Sequence, residues 1–281
     1  MKLGYWNQKR NHFGALRDLT AEELDKDNKY TPVCAEARNR LMLFRLLDRN
    51  FAAWRSFLDD LLAPRFKETD DVPEELNRLI LNYLTLAYTI REHFEVSFNQ
   101  RFRKDQRELE KYTQFLGKLC SASWPFAFIL DFRGYVQHRG LAVGRYNRNV
   151  SDRSVTIDVV SNSKQLLEES RDWKRSNLDA SRGEIDLIEV LKEFHMQMLQ
   201  NYASFVVKVF FPELKSAAEF YSTLTEEAKR ADPLARMVFY TGSPAWKPGE
   251  GGKASITLNM VFPPNDLCGE LGIRLNSQPP N

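Results

Sequence analysis

A chain of 281 residues is long enough to bury a sizeable core and fits one large domain or two ordinary ones. With 43% hydrophobic and 28% charged residues it lies in the globular range, which excludes wholesale disorder. Lys and Arg number 40 against 38 Asp and Glu, a net charge of +2, so affinity for nucleic acid or a membrane surface would have to come from a local patch.

The opening stretch MKLGYWNQKRNHFGALRDL lacks the apolar core of a secretory signal, and residues 1 to 31 read as a polar N-terminal extension with His12 exposed. From Pro32 to Ala63 the residues Ala37, Leu41, Phe44, Leu47, Phe51, Trp54, Leu58 and Leu61 recur at three- and four-residue intervals. That spacing predicts one long amphipathic helix, ended by Pro64. KETDDVPEEL then supplies acidic capping candidates, with Pro73 at a first helical position and Glu74 and Glu75 in the first turn. The second helix carries the stripe Leu76, Leu79, Ile80, Tyr83, Leu84, Ala87, Ile90, Phe94 and Phe98. A third runs through DQRELEKYTQFLGKLC. In SASWP a serine cap and Pro125 begin a fourth, which bears Phe126, Ile129 and Leu130.

Gly140 and Gly144 break that helix, and RSVTIDVV has the β-branched content of a strand. A short helix in SKQLLEESRDW and a long amphipathic one in GEIDLIEVLKEFHMQMLQNYASFVVKVF follow, then another helix in PELKSAAEFYSTLTEEAKRA. LARMVFYTGSP and KASITLNMVFPP, separated by a Gly- and Pro-rich turn, read as a hairpin. The expected fold is mainly α. An N-terminal helical bundle over 32–145 is followed, over 146–281, by further helices, one isolated strand and a C-terminal β-hairpin, all packed on the bundle. A strand at 154–160 needs a partner, and the C-terminal strands are the expected one.

No segment approaches the ~18 uninterrupted apolar residues that span a bilayer. The most apolar run, ASFVVKVFF, is short and contains Lys208, so it fits a buried helix end or strand. Cys34, Cys120 and Cys268 are far apart and form no CxxC pair, which suits isolated thiols in a reducing, cytoplasmic setting. Several site types fail on spacing. GEGGKAS has Lys247 where a phosphate-binding loop needs its first glycine and Ala254 where it needs Ser or Thr. Ile90 and Lys192 stand three residues before His93 and His195, where a di-iron bundle needs Glu. No metal site and no cofactor are expected.

The stretch LDFRGYVQHRGLAVGRYNRN, residues 130–149, stands out. It places Arg133 and His138 five apart, with Arg139 next to the histidine, and residues 101–153 hold eleven Lys or Arg against five Asp or Glu. A helical bundle with an Arg-x4-6-His motif on a late helix resembles the HEPN superfamily, here through Arg133-Gly134-Tyr135-Val136-Gln137-His138 over roughly residues 32–145. The match departs from the family pattern at Gly134, because active members usually carry a polar residue after the arginine.

The resemblance implies an RNA-directed protein: a metal-independent endoribonuclease of a toxin or phage-defence type, with Arg133 and His138 as its catalytic pair. Arg139, Arg145, Arg148 and Gln137 are the expected nucleic-acid contacts. An imidazole moves the protons of 2′-hydroxyl attack, and a guanidinium meets two phosphate oxygens. Five residues on a regular helix turn the two side chains about 140° apart, so a site built from both implies a cleft shared in a homodimer.

The alternative is a non-enzymatic helical scaffold for a protein partner, such as an antitoxin, or for a nucleotide. On that reading Arg133 and Arg139 are solvated or salt-bridged near a helix end, and His138 bonds a free carbonyl. Whichever holds, His93 and His195 read as satisfied structural groups. The RFRKDQRELEK run reads as solvated helix surface, and Trp124, Trp173 and Trp246 as packing anchors.

Overall fold

The computed structural model describes residues 1–10, 12–151, 153–241 and 257–260. In chain order these form β1 (Lys2–Asn7), β2 (His12–Asp18), α1 (Ala21–Leu62), α2 (Val72–Arg101), α3 (Gln106–Ala122), α4 (Trp124–His138), β3 (Arg145–Val150), β4 (Val155–Asn162), α5 (Ser163–Glu169), β5 (Glu184–Asp186), α6 (Leu187–Gln197), α7 (Ala203–Phe210), α8 (Leu214–Ala231), β6 (Arg236–Thr241) and β7 (Thr257–Met260). A π-helical turn, Met198–Tyr202, joins α6 to α7. The protein is mainly α, as its periodicity predicts. It divides into two compact units, one of residues 42–203 and one of residues 1–41 with those from 204 on.

In the unit of residues 42–203 the apolar stripes of the sequence become the core. The whole predicted stripe of α2, Leu76 to Phe98, is buried, and so are Phe44, Leu47, Phe51, Trp54, Leu58 and Leu61 of α1. Phe44 stacks on Phe94 with ring centres 5.7 Å apart. Asp105 caps α3 by accepting from the amides of Arg107 and Glu108. Ser123 closes α3 and opens α4. Its hydroxyl accepts from the Phe126 amide and donates to Glu193, with Pro125 in the first turn where its missing N–H costs nothing. α4 packs on α2, α3 and α6, which makes it the central helix of the unit.

The strand expected to stand alone does not. β4 pairs antiparallel with β3 on one side and β5 on the other, so its backbone groups are satisfied within residues 145–186 and it does not join the C-terminal strands. β3 escaped the sequence reading because RYNRNV is rich in charge and amides and looks like loop.

In the other unit a four-stranded antiparallel sheet has the order β2-β1-β6-β7. The residues read as a polar extension supply its β1–β2 hairpin, and β1 pairs along its other edge with β6. α8 covers this sheet, packing Ala217, Tyr221, Leu224 and Ala228 against Leu3, Met237 and Phe239. The expected C-terminal hairpin is present as the β6–β7 pair. The rest of KASITLNMVFPP lies outside the described residues, as do GEGGKAS, Trp246 and Cys268. α1 begins at Ala21 and carries Pro32 inside it, where the sequence places its start. Thr20 is the reason. Its hydroxyl accepts from the Glu23 amide while the Glu23 carboxylate accepts from the Thr20 amide, a reciprocal cap.

Candidate functional site

Asp131 and Arg133 leave α4 two residues apart, and their surroundings differ. The Asp131 carboxylate is buried and accepts from the amides of Arg175 and Ser176, from the Ser176 hydroxyl and from the Arg175 guanidinium at 3.2 Å. A buried carboxylate held by four donors is satisfied, and it fixes the 175–176 turn against α4. Trp124 adds to that grip, its indole N–H donating to the Ser176 carbonyl at 3.0 Å.

Arg133 is half-buried and points to α2, with its guanidinium carbon 3.5 Å from the centre of the Tyr88 ring. Arg91 lies over the same ring at 4.8 Å and pairs with Glu95 at 2.6 Å. Arg91, Arg133 and Arg175 border a cavity of about 210 Å³ with Tyr88, Gly134 and two carboxylates, Asp131 and Asp172. Three guanidiniums from three chain segments converge there. Two of them have carboxylate partners, while Arg133 forms no ion pair among the described residues. A Cβ at Gly134 would meet no atom within 4 Å, so the glycine leaves open space beside the arginine.

His138 is the last residue of α4 and is exposed. It does not border the cavity, and no hydrogen bond holds it among the described residues. Arg139 follows as the C-cap, its amide donating to the Tyr135 carbonyl at 2.8 Å, with its side chain exposed. The chain then turns at Gly140, where a Cβ would stand 2.4 Å from the Tyr135 hydroxyl. Arg145 makes a two-pronged pair with Glu184 across the β3–β4–β5 sheet. Arg148 donates to the carbonyls of Leu61 and Ala63, at 2.6 and 2.9 Å, and so caps the end of α1. Gln137 borders a second, larger groove on α2 and α4. The six expected residues are therefore not brought together, and Arg133 alone reaches the arginine cavity.

Sequence reasoning missed Tyr88, Arg91 and Arg175. Tyr88 and Arg91 are three apart on α2 and flank its apolar stripe, a signal that could have been read; Arg175 lies in a loop that only Asp131 places. The histidines divide. His93 is exposed, whereas His195 is buried, stacked on Phe51 at 4.0 Å, with Nε2 3.2 Å from Asp48 and Nδ1 3.1 Å from the Tyr83 hydroxyl. Trp173 is buried and stacks on Phe128, and Trp124 stacks on the same ring. Burial pushes the Cys34 thiol up to about 11 and raises that of Cys120, so neither is an activated nucleophile.

Among the described residues no three His, Cys, Asp or Glu side chains cluster to hold a metal ion, and no helix is long and apolar enough to cross a membrane. No protein-family model, no curated protein and no solved structure matches this chain.

Proposed function

We propose that this chain is an RNA-directed, HEPN-like module of the cytoplasm that grips a phosphodiester in the arginine cavity between α2 and α4. The observation that supports this is the convergence of Arg91, Arg133 and Arg175 on one cavity, with Arg133 lacking a carboxylate partner among the described residues. A guanidinium offers a planar fork of donors that matches two phosphate oxygens, and a fork resting on an aromatic ring loses little freedom when it binds. Arg91 and Arg175 are oriented by Glu95 and Asp131, whose charges offset theirs, so they contribute fixed N–H donors while Arg133 supplies the positive charge without a carboxylate partner among the described residues.

The ribonuclease form of this reading adds His138. Its imidazole is exposed and unheld among the described residues, as a proton-transfer group requires, but it leaves α4 about 140° from Arg133. Cleavage therefore takes a second copy of the chain to bring a His138 to the bound phosphate. Within one copy the module binds.

Fluorescence anisotropy with labelled single-stranded RNA in EDTA tests the binding. Arg133→Ala weakens it about tenfold, the loss of a charge-assisted pair of hydrogen bonds, while His138→Ala leaves it unchanged. Wild-type affinity in a folded Arg133→Ala protein overturns the proposal. The ribonuclease form has its own arm: His138→Ala abolishes cleavage with binding and melting temperature intact. An unaltered cleavage rate per folded molecule removes His138 from the chemistry.

A further inference from the structure

We infer that the groove beside the arginine cavity holds an unpaired nucleobase of the same RNA strand, an inference that rests on the phosphate reading above. The groove, of about 590 Å³, lies on the same two helices, and its lining adjoins that of the cavity in sequence: Thr89 follows Tyr88 on α2, and Gln137 lies four residues beyond Arg133 on α4. Residues four apart share a helix face, so a strand with its phosphate at Arg133 reaches Gln137 within one turn, about 5.4 Å.

The chemistry changes across that turn. None of the described residues bordering the groove is charged, and three are amides: Asn50 from α1, Asn82 from α2 and Gln137 from α4. Among the described residues none of these three amides has a hydrogen-bond partner, nor does the Thr85 hydroxyl between them on α2. Asn77, by contrast, is used up within the fold, donating to the Pro73 carbonyl and accepting from the Val143 amide.

Free amides present paired donors and acceptors, the complement of a base edge, over an apolar floor that includes Leu86. An uncharged groove gives a second phosphate no reason to enter, so the neutral part of the nucleotide is what it receives. Its volume lies within the roughly 300–1,000 Å³ of small-molecule sites. Paired bases hide these edges, which restricts the ligand to single-stranded RNA.

The test titrates the full chain with two labelled oligomers of equal length and charge, a single-stranded RNA and the corresponding abasic ribose-phosphate chain. Wild-type protein binds the base-containing strand about tenfold more tightly, the worth of one or two hydrogen bonds to a base edge. Asn82→Ala combined with Gln137→Ala, both on exposed side chains, erases that preference and leaves the abasic affinity as it was. Equal binding of the two oligomers by wild-type protein, or a preference that survives the double substitution, overturns the base groove while leaving the phosphate cavity standing. Failure of both oligomers to bind overturns the phosphate reading itself and this inference with it.

Discussion

Arg133 on α4 rests its guanidinium 3.5 Å from the centre of the Tyr88 ring on α2, so that the one arginine of the cavity without a carboxylate partner among the described residues is positioned by an aromatic face. Removing the ring should release it. Tyr88→Leu is expected to weaken RNA binding about fivefold and to lower stability by about 1 kcal/mol, the scale of a partly desolvated cation–π contact. Tyr88→Phe keeps the ring and should alter neither. Parallel anisotropy titrations and thermal melts of the two variants check this, and equal effects would mean that the hydroxyl matters instead.

Gly134 sets stability against access. A glycine inside a helix costs about 1 kcal/mol relative to alanine, and a Cβ here meets no atom within 4 Å. Gly134→Ala should therefore raise the melting temperature by a few degrees. The added methyl projects at the cavity wall, so RNA affinity should fall in the same protein. A variant neither more stable nor weaker in binding would contradict both parts.

His195 makes stability depend on pH. Burial is the main influence on its imidazole and lowers its pKa; the hydrogen bond and charge of Asp48 oppose this without overcoming it. Because the folded-state pKa is depressed, the unfolded chain binds the proton more readily. The stability from neutral His195 is thus present above the unfolded value, about 6.5, and is lost as pH falls through the folded value. Thermal melts from pH 7.5 to 5 should show falling stability. In His195→Gln that slope should flatten, at a cost of about 1–3 kcal/mol for the disturbed Tyr83 and Asp48 contacts. An unchanged slope would assign the acid sensitivity elsewhere.

Arg148 serves the fold. By donating to the Leu61 and Ala63 carbonyls it satisfies the exposed end of α1, and Arg148→Ala should cost about 1–2 kcal/mol in chemical denaturation. RNA affinity per folded molecule should stay within about twofold of wild type, since the removed charge is engaged by carbonyls. A selective loss of affinity at unchanged stability would return it to the RNA surface.

The helices were legible because burial imposes a 3.6-residue period: every apolar residue assigned to the stripe of α2 is buried, and the Ser123–Pro125 signal starts α4 at the expected place. Pro32 looks like a first-turn residue and so hides the start of α1, while the Thr20–Glu23 box, which begins twelve residues earlier, carries the true signal. The sheets were harder to read for a different reason. β1 pairs with β6 across most of the chain, and β4 with the short β5, and no local period encodes partners so distant. The site divides the same way. Arg133 was found from a spacing, but its partners Tyr88 and Arg175 come from a neighbouring helix and a loop that Asp131 holds, and tertiary packing alone joins them.

The most direct test of the central claim is the salt dependence of binding. Each phosphate neutralised on a single strand contributes about 0.7 to the slope of log affinity against log salt. Wild-type protein should show a slope of at least about 0.7 with single-stranded RNA, and Arg133→Ala should show one shallower by about 0.7, the signature of one lost phosphate contact. Identical slopes in the two folded proteins would mean that Arg133 neutralises no phosphate, and the arginine cavity would not be an RNA site.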